Sequence, residues 1–73
     1  MKKELTQYKK QLEKMCNEIE EMTQARQKTY EGRSEHWQES TNGVQYWTQN
    51  LHLQQLALQA SDAIDTIEDI LEN

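Results

Sequence analysis

Three side chains in this sequence could support catalysis or metal binding, namely Cys16, His36 and His52. A nucleophilic cysteine needs a base beside it, yet Cys16 falls inside a helical repeat and lies far along the chain from either histidine. A cysteine at such a position usually behaves as a small buried hydrophobic residue. No Asp, Glu or Cys stands three or four residues from His52, so metal-ligand spacing is missing there. The sequence therefore predicts no catalytic residue, no metal, no cofactor and no enzymatic activity.

Other residues have the chemistry of binding, and they are concentrated where the chain must turn. This candidate binding site consists of Arg33, His36, Trp37, Tyr46 and Trp47. Arginine supplies charge, and the aromatic rings supply faces on which a planar group can stack. One hypothesis is that a partner or a nucleotide-like anion binds here. The alternative is that the aromatic rings close the open end of a hairpin, because large aromatic side chains dominate small cores.

The elements that must position these residues are two long helices. In the first, apolar residues recur at alternating steps of three and four: Leu5, Tyr8, Leu12, Met15, Ile19 and Met22. This spacing places Leu5, Leu12 and Ile19 at heptad position a and the other three at position d, so that Met15 and Met22 are expected in the core. The second helix carries a broad stripe from Leu53 to Leu71. It also carries a separate line on another face, formed by Trp47, Leu51 and Leu58.

The pattern predicts an all-α fold, a long antiparallel two-helix hairpin that forms one domain over residues 1–73. The helices are expected at about 3–31 and 44–72, with a connecting region at 32–43. Within that region Ser34 can cap a short helical turn that reaches Gln38 or Glu39, and Ser40 or Thr41 can cap the second long helix. All eight Lys and Arg residues lie within residues 2 to 33, whereas the last dozen residues include five acidic residues and no basic one. An antiparallel hairpin brings these charges together, with Lys10 beside Asp65.

Self-association is expected because so short a chain rarely buries a sufficient core alone. A hairpin partner covers only one of the two apolar faces of the second helix. The sequence therefore predicts a helical bundle, a four-helix dimer or a larger even-numbered oligomer. Leu51 or Leu58 is expected at or near the contact between subunits.

The compartment is predicted from the composition. No run of eighteen apolar residues indicates a membrane span, and the start of the chain does not have the pattern of a signal peptide. A single cysteine is typical of a reducing environment. A cytoplasmic protein with no membrane contact is expected.

The connecting region resembles a motif found in small helical proteins of phages and prophages. The matching residues are Glu31-Gly32-Arg33-Ser34-Glu35-His36-Trp37-Gln38-Glu39-Ser40-Thr41-Asn42-Gly43, followed by Tyr46. The family typically has Lys where this chain has His36, and Glu where it has Val44. The resemblance implies a phage or mobile-element origin, a helical hairpin and the cytoplasm of a bacterial host. It implies no activity and no functional residues.

Three functions remain open at this level. The chain is first interpreted as an interaction protein that binds a host protein through an oligomeric helical bundle. The alternatives are an anti-defence oligomer that sequesters a nucleotide-like ligand, and an acidic antagonist of a nucleic-acid-binding enzyme. The formal net charge of −5 does not favour direct binding to nucleic acid.

Overall fold

The computed structural model describes residues 1–72, and within them the chain forms three helices. Helix α1 spans Lys2–Glu31, α2 spans Glu35–Glu39 and α3 spans Thr41–Glu72. The two long helices pack against each other, and the molecule measures 53 × 15 × 13 Å along its principal axes. Its radius of gyration is 16.4 Å, against about 11 Å for a compact domain of this length. The prediction of an all-α chain built on a two-helix hairpin is confirmed.

Contacts between the long helices fix their antiparallel direction. Near the open end Lys9 Nζ lies 3.1 Å from a carboxylate oxygen of Glu68. Midway along, the Cys16 thiol donates to the carbonyl oxygen of Ala57 at 3.5 Å. Residues later in α1 therefore meet residues earlier in α3. The hydrogen bond that the Lys9 ammonium donates to the Glu68 carboxylate raises the pKa of Lys9, since it stabilises the charged form.

The ion pair between the long helices differs from the expected one by one position in α1 and by three positions in α3. Lys9 binds Glu68, whereas Lys10, which was expected beside Asp65, lines a groove with Lys2 and Lys3 on another side of α1. The reason is geometric, because successive residues of a helix point about 100° apart and only one of two neighbouring lysines can face α3. The expected charge complementarity is present, but it acts through the neighbouring residue.

The heptad interpretation of α1 is correct for one of its two lines of residues. Ile19 is buried, with 7% of its surface exposed, and Leu5 and Leu12 are half-buried. By contrast, Tyr8, Met15 and Met22 are exposed, and Met22 keeps 50% of its surface. The expectation that Met15 and Met22 lie in the core is wrong for the single hairpin. One neighbouring helix covers only one side of a two-sided apolar stripe.

Two serines define the connection at the tip of the hairpin. Ser34 caps α2, because its hydroxyl accepts a hydrogen bond from the Trp37 backbone N–H at 3.2 Å. The extended residue Ser40 separates α2 from α3, and its hydroxyl accepts from the Gly43 N–H at 3.2 Å. Both predicted caps are confirmed. Since Ser40 caps the helix, α3 begins at Thr41 and not at residue 44.

The buried part of the hairpin is small and partly polar. The buried apolar residues are Cys16, Ile19 and Ala60, and the buried polar ones include Thr23 and Asn50. Asn50 is only 1% exposed, and neither its amide nitrogen nor its amide oxygen has a hydrogen-bond partner. A buried polar group without a partner costs about 1–3 kcal/mol. We therefore expect the buried Asn50 side chain to cost stability in the hairpin.

Replacing Asn50 by leucine should stabilise the hairpin. Leucine has a similar branched shape and removes two buried polar atoms that lack partners, so we expect a gain of about 1–2 kcal/mol in the free energy of unfolding. Circular dichroism melts measure the change. The control is Gln55→Leu, at an exposed position of the same helix, which should stay within about 0.5 kcal/mol of the parent. A lower melting temperature for Asn50→Leu would show that its amide has a partner.

Within residues 1–72, no helix combines the length and the apolar character that crossing a bilayer requires.

Candidate functional site

Four aromatic side chains meet at the tip of the hairpin and form the aromatic cluster, defined as Tyr30, Trp37, Tyr46 and Trp47. They come from the end of α1, from α2 and from the start of α3. The ring centroids of Tyr30 and Trp47 are 5.0 Å apart. Trp37 lies edge-on to Tyr46 at 5.7 Å and to Tyr30 at 6.1 Å. These distances are typical of favourable aromatic pairs, so the cluster binds all three helices together.

Two arginines lie on faces of the aromatic cluster. The Arg33 guanidinium lies 4.2 Å from the centroid of Trp37, and that of Arg26 lies 4.0 Å from the centroid of Tyr46. Arg26 also donates through Nη2 to the Tyr46 carbonyl oxygen and to the Gln49 side chain, each at 3.2 Å. Arg26 is half-buried and connects α1 to α3, whereas Arg33 is exposed. Of the two arginines, Arg33 is therefore the one that a ligand could reach at the tip.

The structure brings together four of the five residues of the predicted binding site. Arg33, Trp37, Tyr46 and Trp47 belong to the aromatic cluster and its arginines, while His36 is exposed on α2. Trp37 and Tyr46 are half-buried, and Trp47 keeps 37% of its surface. The rings therefore close the end of the hairpin, and a ligand would meet mainly Arg33, His36 and the outer edge of Trp47.

Tyr30 and Arg26 also belong to this site, in addition to the five residues of the predicted binding site. The signal for Arg26 was present, because it continues the seven-residue line of Leu12 and Ile19 and so must face α3. Tyr30 continues the same side of α1 one turn later. An arginine at a core-facing position next to tyrosines and tryptophans predicts a stacked contact.

A line of exposed apolar residues follows the tip along α3. This α3 stripe consists of Val44, Trp47, Leu51 and Leu58, of which Leu58 is the most exposed at 68%. Steps of three, four and seven residues keep them on one side of the helix. Asp62 and Asp65 continue the same side toward the open end, and both are exposed. This side of α3 is thus apolar along the α3 stripe and acidic beyond it.

A second apolar surface lies on the opposite side of the hairpin. This uncharged face consists of Tyr8, Met15 and Met22 on α1 and of Leu56, Ala63, Ile67 and Ile70 on α3. Tyr8, Leu56 and Ile70 are exposed like the two methionines, whereas Ala63 and Ile67 are half-buried. A groove lined by Arg26, Gln49, His52, Leu53 and Leu56 spans both helices on this side. Met22 lies one turn before Arg26, so the residues of the two helices form one continuous surface.

Residues 1–72 contain no group of three or more His, Cys, Asp or Glu side chains that could hold a metal ion. Cys16 is buried and its thiol is hydrogen-bonded to the backbone of α3. The chain matches no protein-family model, no curated protein and no solved structure. The exposed surfaces and the aromatic cluster are therefore the features of the molecule that indicate a function.

Proposed function

We propose that this chain is a non-enzymatic interaction protein that associates with itself as a helical bundle and binds a partner protein. The observation that carries the proposal is the amount of exposed surface. The hairpin has an accessible surface of 5697 Å², whereas a compact monomer of this mass exposes about 4,700 Å². Much of this surface is apolar and lies on two opposite sides, and such surfaces usually mark contacts with other proteins.

The α3 stripe is the surface that we assign to the partner. Trp47, Leu51 and Leu58 have the spacing of side chains that insert between those of another helix. Because Asp62 and Asp65 extend the same side, the matching partner is an amphipathic helix with apolar residues at one end and basic residues at the other. Leu51 and Leu58 were expected at a contact between subunits. In this proposal they contact the partner, and the experiments below distinguish the two roles.

The resemblance of residues 31–43 and Tyr46 to the phage and prophage motif supports a mobile-element origin. The proposed partner is then a protein of the bacterial host. A nucleotide-like ligand at the tip remains a prediction, supported by the exposed position of Arg33 and opposed by the mutual packing of the aromatic rings.

Removing the leucines of the α3 stripe should abolish partner capture. A tagged variant with Leu51→Ser and Leu58→Ser should retain a specific host protein from bacterial lysate at least about tenfold less than the parent does, since exposed contact residues contribute over 1 kcal/mol each. Both leucines are exposed, so the melting temperature should change little. Quantitative mass spectrometry of the retained proteins measures the loss.

The matched control changes Gln45→Ser and Gln59→Ser, which are exposed on the side of α3 that faces away from the α3 stripe. This control should retain the same protein as the parent does. Higher salt should also weaken retention by the parent, because Asp62 and Asp65 are proposed to meet basic residues. Equal retention by the leucine variant and the parent would contradict the assignment of the α3 stripe.

A further inference from the structure

We infer that the uncharged face binds a second copy of this chain, with the two hairpins running in opposite directions. The tip of each copy then lies beside the open end of the other. The inference rests on the self-association proposed above, and it adds the surface and the orientation. In this arrangement α1 packs on α1 of the second copy and α3 packs on α3.

The absence of charge makes the uncharged face suited to a second copy. Two chains that each carry a net charge of −5 repel each other unless like charges stay apart. On this side of α3, the positions from Gln45 to Ile70 hold only Gln, His, Leu, Ala and Ile side chains. The side of α3 that carries the α3 stripe, in contrast, continues into Asp62 and Asp65. Self-association through the uncharged face therefore meets the least repulsion.

The residues of α1 on this face are arranged symmetrically about Met15. Tyr8 and Met22 each lie seven residues from it, on opposite sides along the helix. A twofold axis at Met15 pairs Tyr8 with Met22 of the second copy and brings the two Met15 side chains together. An antiparallel pair of α1 helices thus buries all three exposed residues at once.

One pair of opposite charges, at the two ends of the α1 residues of this face, has the same symmetry. Glu4 and Arg26 each lie eleven residues from Met15, and they have opposite signs. The twofold axis at Met15 therefore places Glu4 beside Arg26 of the second copy. Glu4 is exposed, with one carboxylate oxygen 2.7 Å from the amino group of Met1. A parallel arrangement, with both tips at one end, loses this complementarity.

Helix α3 shows a matching pattern about Ala63. Leu56 and Ile70 each lie seven residues from Ala63. An alanine at the centre lets two antiparallel helices approach to about 8 Å, the lower end of ordinary helix packing. The contacts between Lys9 and Glu68 and between Cys16 and Ala57 set the level of Met15 between Leu58 and Asp62 of α3, one to five residues from Ala63. A twofold axis at Met15 therefore crosses α3 near Ala63, about 1.5–7.5 Å from it along the helix.

The exposed area is sufficient for such a dimer. The hairpin exposes about 1,000 Å² more than a compact monomer of its mass. A stable interface buries about 800 Å² on each partner. Pairing through the uncharged face would lower the accessible surface of each chain to about that of a compact monomer of its mass.

The mass of the protein in solution tests whether the uncharged face is the contact between the two copies. Sedimentation equilibrium of the full chain at micromolar concentration should give a dimer. Met15→Glu sets two carboxylates against each other at the axis, so its dissociation constant should rise at least about 100-fold. The matched control is Leu58→Glu on the α3 stripe, which should remain dimeric. A monomeric parent, or a dimer lost with Leu58→Glu and kept with Met15→Glu, would overturn the inference.

Cysteine cross-linking tests the orientation with variants that change the fold little. In a Cys16→Ala background, Met15→Cys should be joined to itself by a short bifunctional thiol reagent. Tyr8→Cys and Met22→Cys should each fail to link alone and should link when the two variants are mixed. Failure of Met15→Cys to link, in a sample that sediments as a dimer, would contradict the antiparallel arrangement. Partner capture is measured in a separate experiment. A negative result here would therefore contradict the dimer through the uncharged face and not the proposed contact between the α3 stripe and the partner.

Discussion

Ile19→Asp should unfold the hairpin at room temperature. Ile19 is among the few buried apolar residues of the chain, with 7% of its surface exposed between α1 and α3. An aspartate there would bury a charge without a partner, which costs several kcal/mol. A single core of this size supplies about 3–5 kcal/mol in total. The cost therefore equals or exceeds the stability of the fold, and circular dichroism should show loss of the cooperative melt.

The control for this prediction is Asn17→Asp, which adds the same charge at an exposed position two residues away. It should melt within a few degrees of the parent, because exposed substitutions usually change stability by less than about 0.5 kcal/mol. Leu12→Asp should be milder than Ile19→Asp, since Leu12 is only half-buried. A native-like melt for Ile19→Asp would mean that the helices do not pack through this line of residues.

Gly43→Ala should destabilise the protein by about 3 kcal/mol, although alanine is the better helix former. Helix propensity alone favours alanine over glycine by about 1 kcal/mol. Gly43 is buried in the first turn of α3, where a Cβ would overlap the Trp37 carbonyl oxygen and lie 2.7 Å from that of Gln38. These are backbone atoms of α2 that cannot rotate away. The short helix would have to move off α3, and Trp37 would leave the aromatic cluster.

Gly32→Ala is the matched control for Gly43→Ala. A Cβ at Gly32 would lie 3.4 Å from the Lys28 carbonyl oxygen, and Gly32 has an ordinary φ of −79°. Alanine fits there, so it should stabilise the protein by about 0.4–1 kcal/mol by restricting the unfolded chain. Thermal melts of the two variants should therefore shift in opposite directions. Equal shifts would show that α2 does not pack closely on α3.

Local patterns in the sequence predicted the helices, the two serine caps and the gathering of Trp37, Tyr46 and Trp47 at the tip. These features depend on the chemistry of neighbouring residues, which a sequence displays directly. The exposure of Met15 and Met22 could not be predicted in this way. A seven-residue repeat shows which residues are apolar, but it does not show how many helices surround them.

The polar residues in the interior of the hairpin could not be predicted from the sequence either. Asn50 lies in a stretch of Gln, Asn and His residues that gives no hint of which one faces α1. Gly43 was interpreted as part of a turn, because glycine favours turns, yet it lies inside α3 and provides room for α2. Both cases have one physical cause. The contact between helices determines the role of each residue, and the conformational propensity of the residue itself does not.

The way the two long helices are joined also sets the order in which the hairpin closes. The contact between Arg26 and Tyr46 joins residues 20 apart along the chain, that between Cys16 and Ala57 residues 41 apart, and the Lys9–Glu68 pair still more distant ones. The entropy lost in closing a loop grows with its length. We therefore expect the aromatic cluster to form first, where closing the loop costs least, and the pairing of the helices to extend from it toward the chain ends. We then expect the open end to form last and to open most often, so that its amide hydrogens exchange with solvent fastest.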